Sequence, residues 1–171
     1  MFKVIGAAFI LLATTWSGFE IARGFTERPR QLRQLKSSLQ ALEAEIMYGH
    51  TPLRDASLKL SKQLPQPLSL FFTAFASKME NNETTVRDAW TESLQEVWKS
   101  LSLKQSEYEI LVQFGETLGR HDRMSQQKQI ILTLTHLERE EKEALDRQSK
   151  YEKMIKSLGF LSGLLLIIIL L

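Results

Sequence analysis

Cysteine is absent from the 171 residues, which excludes disulfides and thiolate metal sites and says little about compartment. Proline is scarce, at four, and the eight glycines build no phosphate-cradling loop, since none stands at the right spacing before a Gly-Lys-Ser/Thr. The three histidines, His50, His121 and His136, are scattered and lack the i, i+4 pairing of a helical metal site. His121-Asp122 reads as a surface histidine beside an N-cap aspartate rather than a metal-hydrolase dyad. No serine occupies a nucleophile elbow. Neither sign of charge dominates, and a net charge of +2 does not fit a nucleic-acid binder. The sequence therefore predicts no catalysis, no metal and no cofactor.

Charge is also missing from both ends of the chain and crowded between them. Val4–Phe19 carries no ionisable side chain, nor does Ser157–Leu171, which closes on eight consecutive leucines and isoleucines from Leu164. A spanning helix needs about 20 residues. The first run reaches that length by taking in Ile21 and Ala22 with Glu20 interfacial, the second by reaching back to Met154 with Lys156 snorkelling. A cleaved leader would also begin with Lys3 and an apolar run. No small-x-small site follows cleanly, however, and Trp16 and Phe19 suit an interfacial anchor. Arg23, Arg28, Arg30, Arg33 and Lys36 follow the first run, and Arg147, Lys150, Lys153 and Lys156 precede the second. Lysine and arginine stay on the cytoplasmic side, so the expected arrangement is a cytosolic central domain with both termini outside.

Helical spacing fills that domain. Pro29 fits a first helical turn, and Leu32, Leu35, Leu39, Leu42 and Ile46 keep a 3-4 rhythm up to Gly49, placed for a left-handed C-cap. Thr51-Pro52 reads as N-cap and N1 of a second helix with Leu53, Ala56, Leu60 and Leu64, broken by Pro65-Gln66-Pro67. Leu68, Phe71, Phe72, Phe75 and Met79 mark a third helix. Thr85 and Asp88 resemble a capping box opening a fourth, with Ala89, Trp90, Leu94, Val97 and Trp98. Ser102 with Gln105 is a second box, leading to Tyr108, Leu111, Val112, Phe114 and Leu118, and Gly119 ends that helix.

From Asp122 onward one long helix is expected, lined by Met124, Ile131, Leu134 and Leu137 and continuing into the second span. Leu137–Lys156 looks too polar to be buried on any face and reads as a solvated stalk. A dimeric coiled coil along Leu137, Ala144, Leu145 and Tyr151 is the alternative, and its seam is short. Gly115, inside a helix, costs about 1 kcal/mol relative to alanine and marks either close packing or a functional turn. The domain plan is thus an anchor over 1–24, a helical bundle over 25–137, a stalk over 138–156 and a second span over 157–171.

Phe19-Glu20-Ile21-Ala22-Arg23, Glu27–Arg33, Leu42–Gly49, Phe114–Arg123 and Lys156–Gly159 together resemble the stage III sporulation protein AB family of endospore-forming bacteria. That family is similar to the cytoplasmic domain of the inner-membrane platform proteins of type II secretion and type IV pilus machines. The matching pattern is Glu45-Ile46, Gly49, Pro52-Leu53 and Ala56, then Gly115-Glu116 and Gly119. The resemblance implies an all-α architecture, an antiparallel six-helix bundle in the cytosol between two transmembrane helices. It further implies a non-enzymatic platform in the outer forespore membrane. There it would dock a secretion-type ATPase and meet other membrane proteins of the mother cell–forespore channel and lipid. Type II platforms usually carry two such domains and three spans. One domain here makes a homo-oligomer the way to supply a second copy.

On that reading the partner-binding candidates are Arg30, Arg33, Glu43, Glu45, Glu116, Asp122 and Arg123, with Gly49, Pro52, Gly115 and Gly119 as structural turns. Exposed complementary charge suits a reversible contact because it sets encounter and register. Two alternatives stay open. One is a scaffold acting through its transmembrane helices alone, the other a membrane-anchored enzyme with an unrecognised site.

Overall fold

The computed structural model describes residues 25–49, 51–80, 84–118 and 123–170, with the side chains of 123, 152, 153 and 155–170 left aside. These residues form six helices and no strand: α1 (residues 25–44), α2 (Leu53–Gln63), α3 (Leu68–Lys78), α4 (Val86–Val97), α5 (Gln105–Thr117) and α6 (Arg123–Leu170). A π-type turn, Glu45–Gly49, closes α1, and a 3-10 turn, Trp98–Ser100, closes α4.

The apolar rhythm of α1 becomes a fully buried seam of Leu32, Leu35, Leu39 and Leu42. Leu68, Phe71, Phe72 and Phe75 of α3 meet Trp90 of α4 and Phe114 of α5 in an aromatic core. The Trp90 ring centroid lies 4.7 Å from that of Phe71, 5.0 Å from Phe75 and 5.2 Å from Phe114. Trp90 Nε1 donates to the Leu111 carbonyl at 2.8 Å, so the buried indole keeps its polar atom satisfied. Gly115 belongs to this contact. A Cβ there would fall 2.2 Å from Trp90 Cδ1, so the glycine marks close helix packing rather than a functional turn.

α1 and α6 run antiparallel. Phe25 stacks on Tyr151 at 4.4 Å, Arg28 meets Glu140, and Glu43 meets Gln127. α4 and α5 are antiparallel as well, with Arg87 on Glu116 at one end and Trp98 on Tyr108 at the other. α6 runs 48 residues, about 70 Å at 1.5 Å per residue. Among the described residues no helix is long and apolar enough to cross a membrane. The first expected span, 1–24, lies outside the described residues, as do the side chains of the second over 157–170.

Several local expectations are corrected. Gly49 is not left-handed. It makes room for a carboxylate, since a Cβ would sit 2.5 Å from Glu45 Oε2. Pro52 is the N-cap of α2 rather than N1, because its ψ of 141° is extended, and Thr51 bonds Glu45 instead of capping. Thr85 caps α4 as expected, its Oγ1 accepting from the Asp88 backbone N–H at 3.1 Å. The Ser102–Gln105 box does not form. The N-cap of α5 lies two residues later, at Lys104, whose backbone N–H is taken by Glu107, while Ser102 N–H goes to Gln31 Oε1 at 2.7 Å.

The largest correction concerns α6. Its buried face runs through Ile130, Thr133, Leu137, Glu140, Glu141 and Ala144, whereas Met124 and Ile131, expected on that face, are exposed. The polar stretch after Leu137 is therefore buried on one side, against α1 and α5. Leu137 and Ala144 of the alternative coiled-coil seam are buried within the chain, whereas Leu145 is exposed.

Candidate functional site

Folding α1 back along α6 collects ionic groups that are far apart in sequence. Arg28 is at the centre. Its Nε donates to Glu107 Oε1 at 2.9 Å, its Nη2 to the same oxygen, and Nη2 also to Glu140 Oε2 at 3.0 Å. Ser106 Oγ donates to Glu140 Oε2 at 3.1 Å, and Arg28 Nη1 lies 3.9 Å from Glu143 Oε1. The Glu107 side chain is fully buried, and those of Arg28 and Glu140 are 7% exposed. Charge sequestered this far from water holds only when paired and hydrogen-bonded, which Nε and Nη2 are, while buried Nη1 has no hydrogen-bond partner. One turn along, Arg33 Nε and Lys36 Nζ donate to the two oxygens of Glu141 at 3.1 and 3.0 Å.

The candidate interaction residues fall on both sides of this seam. Arg30 is exposed and pairs with Glu27 at 3.1 Å, and Glu116 is exposed and pairs with Arg87 at 3.0 Å. Arg33 is bound to Glu141, and Glu43 accepts from Gln127 Nε2 at 3.0 Å. Glu45 is held by Lys59 and by Thr51 Oγ1 at 2.7 Å. Arg33, Glu43 and Glu45 thus each contact a neighbouring element, with the Arg33 side chain still 67% exposed. Asp122 and Gly119 lie outside the described residues, and of Arg123 only the backbone, at the start of α6, is described. The seven candidates form no single patch among the described residues. The cluster that sequence reading missed, Arg28, Glu107 and Glu140, left one signal. Leu137, Glu140, Glu141 and Ala144 keep a 3-4 spacing through an otherwise charged stretch.

Among the described residues three carboxylates, those of Glu45, Glu141 and Glu143, titrate below the ordinary glutamate range. For Glu45 the hydrogen bond from Lys59 is the main cause, followed by that from Thr51. For Glu141 burial opposes ionisation, and the hydrogen bonds from Lys36 and Arg33 overcome it. For Glu143 the Lys104 hydrogen bond leads. A depressed folded-state value stabilises the fold above the unfolded value and is lost as pH falls through the folded one. Melting temperature is therefore expected to drop as pH falls below about 4. Lys59→Met should lower the melting temperature at pH 7 while flattening this acid slope. An unchanged slope in that variant would show that the Glu45 pair contributes nothing to it.

No group of three or more His, Asp or Glu side chains able to hold a metal occurs among the described residues. A family model described as Stage III sporulation protein AB matches residues 3–171. The chain belongs to the stage III sporulation protein AB family. The Stage III sporulation protein AB of Bacillus subtilis (strain 168) is 61% identical over 170 residues, 99% of each chain. A solved structure of Stage III sporulation protein AB (SpoIIIAB) superposes with a TM-score of 0.70 at 58% identity, covering 72% of this chain and 98% of that one. The fold and the sporulation family agree with the resemblance read from the residues. The family's name denotes a stage of sporulation and no reaction.

Proposed function

We propose that this chain is a non-catalytic adaptor of the channel between mother cell and forespore. It is anchored in the outer forespore membrane at both ends and docks a secretion-type ATPase on its cytosolic helical domain. Family membership supplies the sporulation setting. The observation that carries the anchorage is the Phe25–Tyr151 stack at one end of the α1–α6 pair. The uncharged segments of the sequence lie beyond those two residues, so both depart from the same end of the bundle and fit a single membrane. Flanking lysines and arginines favour a cytosolic domain. The apolar ends offer surfaces to lipid, to other membrane proteins of the channel and to a second copy of the chain.

The test is binding of the purified sporulation ATPase to the full chain reconstituted in nanodiscs. Saturable binding is the expected result. A folded chain that binds no ATPase would overturn the adaptor and favour a scaffold acting through its apolar ends. Nucleotide turnover by the chain alone would favour an enzyme.

A further inference from the structure

The exposed side of α6 near its start differs from the rest of the bundle surface. Met124, Ile131 and Leu132 are 72%, 50% and 44% exposed, and at i, i+7 and i+8 they share one helical face. Lys128 lies between them, exposed, with no ion pair among the described residues. No acidic residue occurs from Arg123 to Leu137, although acids are frequent immediately afterwards. Along α6 this face is thus apolar and cationic with no acid of its own, the Glu43 carboxylate of α1 being bound to the neighbouring Gln127. Packing does not use it, because α6 turns Ile130, Thr133 and Leu137 inward instead.

We infer that the Met124–Lys128–Ile131–Leu132 face of α6 is the docking surface for an acidic amphipathic helix of the ATPase. The inference rests on the adaptor reading above and adds the surface and the chemistry of the contact. Charge complementarity selects the occupant: a helix laid along α6 would cover the three apolar side chains and set a carboxylate against Lys128. Position argues against lipid. Met124 lies 27 residues before Tyr151 on one continuous helix, about 40 Å from the end where the apolar segments depart. That is several times the Debye length at physiological salt, beyond the pull of a membrane surface.

The experiment uses the full chain in nanodiscs and the purified ATPase, with two variants. Ile131→Ser/Leu132→Ser removes apolar area at half-exposed positions outside the core, so the helical circular-dichroism signal should persist while affinity falls about tenfold or more. Lys128→Glu should weaken binding by about three- to tenfold at low salt, with the gap closing at high salt. ATPase binding unchanged in both variants would overturn this surface while leaving the adaptor intact. Absence of binding by the unaltered chain would overturn the adaptor, and this inference with it. Two further results would reassign the face and also overturn the proposal. One is loss of binding to anionic vesicles, the other conversion of a dimer to a monomer, in either case with ATPase affinity unchanged.

Discussion

Arg28→Met should cost the domain about 3–5 kcal/mol, the range seen when one partner of a buried ion pair is removed. The substitution keeps most of the side-chain bulk but leaves two carboxylates facing each other in a dry seam. Glu107 is fully buried and Glu140 nearly so, and neither has another cation within the cluster. Arg139 lies 3.7 Å from Glu140 but from the solvent side, 74% exposed, and is too well hydrated to replace the guanidinium. Adding Glu107→Gln should recover part of the loss, since an amide still accepts the Lys104 backbone N–H without a charge. Chemical denaturation followed by helical circular dichroism measures both. A loss below about 1 kcal/mol would mean that water reaches the carboxylates and the cluster is not sealed.

Trp90→Ala should be comparably severe, again about 3–5 kcal/mol, because it empties the space on which α3, α4 and α5 converge. Four phenylalanine rings, Phe71, Phe72, Phe75 and Phe114, lose their edge-to-face partner, and the Leu111 carbonyl loses the indole donor. Gly115→Ala tests the same contact from the other side. Helix propensity alone favours alanine by about 1 kcal/mol. The added methyl, however, would press on an indole that has no room to move, and overpacking of that kind costs about 1–3 kcal/mol. Net destabilisation is therefore expected in urea midpoints. A net gain would show that the tryptophan can give way.

Reading the sequence was most successful where structure is set locally. The leucine rhythm of α1, the aromatic row of α3, the Thr85 cap and the length of α6 all follow from spacing within one segment. It failed where a partner lies far along the chain. Arg28 finds Glu107 across 79 positions and Glu140 across 112, and nothing in the neighbourhood of any of the three announces the others. The same blindness hid the intramolecular partners of three candidate docking charges. Arg33, Glu43 and Glu45 each pair with a residue of α6 or α2, although the Arg33 side chain stays 67% exposed. It also turned α6 by about one residue. Burial of glutamates 140 and 141 becomes acceptable only once α1 supplies the cations, so periodicity counted on apolar residues alone chose Ile131 over Ile130.

The antiparallel lie of α1 on α6 has a mechanical consequence. Because residues 25 and 151 meet at the same end, drawing them apart sideways peels the two helices rather than sliding them. Peeling loads one contact at a time: first the Phe25–Tyr151 stack, then the Arg28 cluster, then Lys36 on Glu141, with Glu43 on Gln127 last. A tug along the helix axes would instead strain all four together. The domain is thus compliant to spreading of its two ends and stiff to a pull directed along its length.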